Sequence, residues 1–226
     1  MSKLTKNEWV IVTGLLMLSL IPSIGGILRL TEIGIGSGSF WPENPRIELA
    51  PVPVVLHIVS SVPFCIFGAF QFLGSVRRGN PLYHRLAGRF LAASGMVSAF
   101  SCLWMTHFYS FPGDLQGGLL YVTRLAVGGG MVMCIVLGVV SILKLDVTSH
   151  RAWMIRSYAL GQGAGTQVFI AIPWFLTIGE PSGVLRDILM TSAWVINMVI
   201  AEYAVCRECR SAVQQPQSLV SASMLH

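Results

Sequence analysis

The sequence predicts an all-α fold: a six-transmembrane-helix bundle with both termini cytoplasmic. Three observations predict it. Of 226 residues, 54% are hydrophobic and 11% charged, with mean hydropathy +0.68, too little charge to cover a soluble domain. Six segments, residues 9–28, 51–75, 86–106, 118–143, 153–178 and 188–206, each supply the ~20 mostly apolar residues that cross a bilayer. They lack the alternation of a β-barrel, which leaves helices as the way to satisfy backbone groups inside lipid.

The first segment follows Lys3 and Lys6 as a signal peptide would. It has no A-x-A-like cleavage site and five further spans follow, so it is expected to be a retained helix. The second begins after the Gly-, Pro- and Ser-rich loop GSGSFWPENPRIELAPVP, and the third opens with HRLAGR. The loop HFYSFPGDLQGG leads to the fourth, which contains AVGGGMVMC. The fifth opens with HRAWMIRSYAL and continues through GQGAGT, and the sixth follows GEPSGVLRD. The connections VRRGNPLYHR and KLDVTSHRAW are short enough to hold their helices antiparallel. Residues 1–208 thus form one membrane domain, and residues 209–226 a polar, disordered cytoplasmic tail.

The formal charge of +5 is distributed by side rather than gathered into a patch. Lys3, Lys6, Arg77, Arg78, Arg85, Arg89, Lys144, Arg151, Arg156, Arg207 and Arg210 fall at alternate span ends, whereas the opposite ends keep Arg29, Arg46, Arg124 and Arg186. That asymmetry is the positive-inside pattern; it places both termini in the cytoplasm and speaks for anionic lipid rather than nucleic acid as the basic face's partner. The five cysteines make no disulfide framework. Cys65, Cys102 and Cys134 lie within spans, and Cys206 with Cys209 forms a lone CxxC without the second pair a zinc site wants.

Polar side chains inside a span are expensive and face the bundle interior. His57, Ser60, Ser61, Gly68 and Gln71 share one face of the second helix. Tyr158, Gln162 and Thr166 follow one another at four-residue steps on the fifth, and Asn197 and Glu202 lie on the sixth. Glu202 is placed for pairing with Arg151 or Arg156, and Arg124 for snorkelling or for pairing with Asp114 or Asp187. Glycines concentrated in helices three to five allow close packing, or room for a flat cofactor.

Four histidines flank or enter the spans. His84 and His107 stand 23 residues, roughly 34 Å, apart on one helix and cannot share a ligand. The set therefore divides into an outer pair, His57 with His107, and an inner pair, His84 with His150. Two histidines on neighbouring helices can hold a haem iron axially while arginines such as Arg151 and Arg156 neutralise propionates. The expectation is a haem-b redox protein with metal contacts only through those histidines, exchanging electrons with a quinone or a redox partner protein. A small-molecule or proton-coupled transporter built on the His57, Gln71, Tyr158 and Gln162 faces is the alternative, and a structural or assembly protein a third. No HExxH, P-loop or GxSxG element is present, and the glycines of ALGQGAGTQ follow no strand, so nucleotide and hydrolase chemistry are not expected.

HRLAGR, HRAWMIRSYAL and AWVINMVIAEYAV resemble segments of bacterial membrane proteins grouped as domain of unknown function 2306, over roughly residues 50–206. The resemblance implies a polytopic protein of the bacterial inner membrane. It carries over His57, His84, His150, Arg151, Trp153, Arg156, Tyr158, Asn197 and Glu202, but no reaction. After Leu160 the chain departs from that pattern with GQGAGTQV.

Overall fold

The computed structural model describes residues 5–36 and 45–223, with side chains as far as Glu208. Lys3 and the side chains of Cys209 and Arg210 lie outside that described set. The helices in chain order are α1 (Lys6–Ile35), α2 (Pro45–Leu49), α3 (Pro51–Gln71), α4 (Gly74–Gly79), α5 (Pro81–Phe108), α6 (Gly118–Leu143), α7 (Val147–Gly161), α8 (Gly163–Thr177) and α9 (Gly183–Ser223). No strand occurs among the described residues. The backbone of α9 runs as helix as far as Ser223, within the stretch 209–226 expected to be a tail.

Local chemistry explains where the helices start. Thr5 and Glu8 form a capping box on α1, each side chain accepting the other's backbone N–H at 3.2 and 3.0 Å. The second Glu8 oxygen accepts from Ser75 N–H at 2.8 Å, tying α1 to α4. Asn80 caps α5, with Pro81 in the first turn where its missing N–H costs nothing. Asp146 caps α7 through Ser149 N–H at 2.9 Å, and that bond holds its carboxyl below the usual carboxylate range.

Five helices are long and apolar enough to cross a membrane: α1, α3, α5, α6 and residues Gly183–Glu208 of α9. The expected spans at 9–28, 86–106 and 188–206 lengthen at both ends, and 118–143 stands as expected. The segment expected at 153–178 differs in kind. It is two 15-residue helices, α7 and α8, meeting at Gln162. Gly161, Gly163 and Gly165 surround the break, and each costs a helix about 1 kcal/mol relative to alanine.

The break changes where the chain lies. Neighbouring pairs α1–α3, α3–α5, α5–α6, α6–α9, α9–α8 and α8–α1 close a ring. Within it α7 touches α3, α6 and α9 and so fills the centre, whereas α8 packs on α1 and α9 at the rim. In the half that α7 occupies, Tyr158 is buried among Phe64, Phe72, Ala69 and Leu73. That half carries Arg77, Arg85 and Arg151 at its end and is called the basic half here.

The glycines at the break are contact points. A Cβ on Gly163 would stand 1.9 Å from Trp194 Nε1, and one on Gly165 would stand 2.3 Å from the Leu18 carbonyl oxygen of α1. Elsewhere Phe64 and Ile135 fill the space over Gly95, and Leu103 that over Gly128, so at these positions the small residues serve packing rather than a slot for a flat cofactor. Gly165→Ala presses on backbone that cannot rotate away, and is expected to destabilise the protein by about 1–3 kcal/mol. Gly129→Ala, whose Cβ meets nothing within 4 Å, is expected to be neutral or better. Thermal unfolding of both variants in detergent is the measurement; equal melting temperatures would contradict the packing account.

Candidate functional site: a cavity beside a broken helix

Where α8 leaves the centre, a cavity of about 380 Å³ opens in the half opposite the basic one. Its walls are largely apolar, with Val62, Ala99, Met105, Val127, Met131 and Leu160 among them. Polar side chains are interspersed along it, among them His57, Ser61, Ser98, Cys102, Thr106, Arg124, Gln162 and Gln167, with Arg46 and Tyr109 toward the loops. A concavity of this size whose exposed wall is mostly apolar, with polar groups set into it, has the make-up of a small-molecule site.

Gln162 stands where the two helices part. Its Nε2 donates to Tyr158 Oη at 2.7 Å and to Ser19 Oγ at 2.9 Å, and Tyr158 Oη donates to the Cys65 carbonyl at 2.6 Å. The carbonyls in the turn before the break are taken by side chains from other helices. Asn197 Nδ2 donates to Ala159 O at 3.1 Å, Trp194 Nε1 to Leu160 O at 3.1 Å, and Cys65 Sγ to Gly161 O at 3.6 Å. Thr166 Oγ1 completes the set by donating to Asn197 Oδ1 at 2.7 Å. A helix interrupted in lipid must find such partners, because no water replaces them. The expected stripe Tyr158–Gln162–Thr166 is thus the face that anchors the break, and Asn197 is its counterpart on α9.

His57 lies on the cavity wall. Its Nδ1 is 3.0 Å from the Ser98 carbonyl and 3.2 Å from Ser101 Oγ; since the carbonyl only accepts, the proton sits on Nδ1 and Nε2 is left as the acceptor nitrogen. His107 is exposed, bonds Tyr121 Oη at 3.0 Å through Nδ1, and is not part of the wall. The two members of the expected outer pair therefore engage different helices, α5 and α6.

The inner pair lies in the basic half. His150 Nδ1 donates to the Gly138 carbonyl at 2.8 Å, and His84 stands near His150 and Arg77. His84 Nδ1 and Gln71 Nε2 are buried without a hydrogen-bond partner among the described residues. Burial and the nearby Arg151 and Arg78 push the Arg77 guanidinium below its usual value. Arg156 pairs with Glu202 through two bonds of 2.6 and 2.8 Å and lies 4.8 Å from the Trp153 ring, while Arg151 pairs with Glu208 at 2.6 Å. Arg156 and Glu202 thus satisfy one another. Among the described residues no group of three or more His, Cys, Asp or Glu side chains is placed to hold a metal ion.

Arg124 takes a neutral partner, the Gln116 side-chain oxygen. Asp187, one of the carboxylates expected to pair with it, is instead 2% exposed and accepts from Gly117 N–H at 3.1 Å and Leu120 N–H at 3.0 Å, capping α6. Both Arg46 and Arg124 lie over the ring of Phe111, at 4.5 and 5.1 Å. Sequence reasoning missed Phe111, Gln167 and Trp194 as site residues. Trp194, one turn before Asn197, carried a usable signal, a polar indole N–H on the same helical face; Phe111 lies in a loop without periodicity.

No curated protein and no solved structure matches the chain. A family model does: residues 54–205, which hold all of α5, α6, α7 and α8 and most of α3, match the family described as "Predicted membrane protein (DUF2306)". The break, His57 and most of the cavity wall fall inside that match, and the chain belongs to this family of membrane proteins.

Proposed function

We propose that the protein is a small-molecule transporter whose binding site is the cavity beside the Gln162 break. One observation carries the reading: a discontinuous helix parts near the middle of its path, and the chamber it vacates is lined by Gln162 and His57. Transport folds place their sites at such mid-depth interruptions, where a helix can be irregular because it borders a cavity. His57, a titratable group on the wall, would be the site of proton coupling. In this reading α7 and α8 together form the fifth of six spans, and the protein resides in the bacterial inner membrane with both termini cytoplasmic. The basic ends of the helices support that orientation. A fluorescent protein fused after His226 should then fluoresce, whereas alkaline phosphatase at the same site should be inactive; the reverse pattern rejects the orientation.

Uptake tests the function directly. Proteoliposomes containing the purified chain, given an isotope-labelled extract of cell metabolites, should concentrate at least one solute over protein-free liposomes. Ser61→Phe, which puts a ring into the cavity from a half-buried position, should abolish that enrichment. Enrichment of nothing, or enrichment unchanged in the variant, would sink the proposal.

A second reading, haem-b redox chemistry, draws on the orientation of two histidines. His57 and His150 each turn Nδ1–H to a backbone carbonyl, which is how a protein fixes a ligating imidazole and presents its Nε2. Arg151, Arg77 and His84 stand near His150, and a quinone or a redox protein would be the partner. Protein purified from haem-replete cells would show a Soret band that His57→Ala or His150→Ala removes. A colourless preparation eliminates it.

A further inference from the structure

The charge balance at the far end of the cavity narrows the class of ligand. Arg124 stands a short way inside the end of α6 that lies opposite the basic ends, and it faces the cavity. Arg46 shares the Phe111 ring with it, and Arg186 lies close enough to act on its charge. Asp187 lies close enough for its charge to act on Arg124, but its two oxygens accept from the amides of Gly117 and Leu120 and make no bond to the guanidinium. The ion pairs formed among the described residues are Arg29–Glu32, Arg151–Glu208 and Arg156–Glu202, none of which involves Arg124. The guanidinium is thus bonded to a neutral amide while it faces a largely apolar chamber, and no carboxylate among the described residues touches it. An anion delivered from the chamber would supply that direct charge-assisted bond.

We infer that the cavity binds a small organic carboxylate, whose headgroup pairs with Arg124 beside Arg46 and whose apolar body lies along Met105, Val127 and Met131. The assignment rests on the same cavity as the transport reading, but concerns the charge of its occupant. A guanidinium offers a planar fork that matches a carboxylate with two parallel bonds, and the largely apolar wall of Met105, Val127 and Met131 receives the rest of the ligand. The Phe111 ring, 5.1 Å from the Arg124 guanidinium, gives that fork a surface to lie on. His57, also on the wall, has its Nε2 available to a polar substituent at the other end of the molecule.

The test is calorimetric titration of the full chain in phosphatidylcholine nanodiscs with hexanoate, benzoate and succinate, and with benzamide as the uncharged counterpart of benzoate. At least one carboxylate should bind saturably, and benzamide should bind at least tenfold more weakly than benzoate or not at all. Arg124→Gln should weaken carboxylate binding about tenfold or more, the loss expected for a charge-assisted bond. Lys144→Gln, an exposed change in the basic half, should leave it unchanged. Failure of all three carboxylates to bind, or equal binding of benzamide and benzoate, overturns the inference, and both readouts use the unaltered chain should Arg124→Gln not fold. Suppression of carboxylate binding by phosphatidylglycerol in the discs would give the site to a lipid headgroup and overturn it equally. The uptake assay fails separately: enrichment of neutral or cationic solutes alone would leave transport standing and remove the carboxylate, whereas carboxylate binding without enrichment of any solute would do the reverse.

Discussion

The fold depends on how the interruption at Gln162 is satisfied. A helix that breaks inside a bilayer exposes backbone carbonyls to a solvent that donates nothing, at a cost of several kcal/mol for each group left unpaired. Here Asn197, Trp194 and Cys65, from α9 and α3, each reach one carbonyl of the turn before the break. Gln162 itself is held by Ser19 of α1 and by Tyr158. Three helices, α1, α3 and α9, thus converge on one turn of α7. Once these contacts are made, α7 is kept at the centre and α8 at the rim, and the cavity follows from that offset.

Packing and polarity cooperate at the same place. Gly163 lets the Trp194 indole come close enough to reach the Leu160 carbonyl, and Gly165 brings α8 against the backbone of α1. A side chain at either position would push its neighbour away and with it a hydrogen bond. The departure at GQGAG is therefore coupled to particular partners: a break with glycines alone would be unsatisfied, and Asn197 or Trp194 alone would have no free carbonyl to meet. Membrane helices gain little from apolar contact with one another, so such directional bonds and close approaches decide how they assemble.

Legibility in the sequence followed the range of the interactions. Long apolar runs are local, and five of the expected spans emerge as long helices, although the one expected over 51–75 ends at Gln71 and its last residues fall in α4. The polar stripe of Tyr158, Gln162 and Thr166 was visible at four-residue spacing, as was the choice of partners that includes Arg156 for Glu202. The break was not, because the apolar content of 153–178 suits one span, and the glycines that interrupt it are equally common in unbroken packed helices. Asp187 was misassigned for a related reason. Its charge suggested an ion pair with Arg124, but the amides of Gly117 and Leu120, some 70 positions earlier, meet both its oxygens, and nothing in either segment announces the other. The cavity is less legible still, since it is defined by where α8 is not.

The arginines of the two halves call for different explanations. In the basic half the proposed orientation accounts for them, and Arg151 and Arg156 are matched there by Glu208 and Glu202. In the other half Arg46, Arg124 and Arg186 run against the same rule, so insertion offers no reason for them to be there. Part of the cost of Arg124 is offset locally, by the Phe111 ring and the Gln116 amide and, without a direct bond, by the charge of Asp187. Asp187 spends its hydrogen bonds on a helix terminus. A guanidinium that no carboxylate among the described residues touches, at the edge of a largely apolar chamber, is poor design for stability alone. It is good design for a chamber whose occupant brings a carboxylate with it, which is why the chamber and the charge are best explained together.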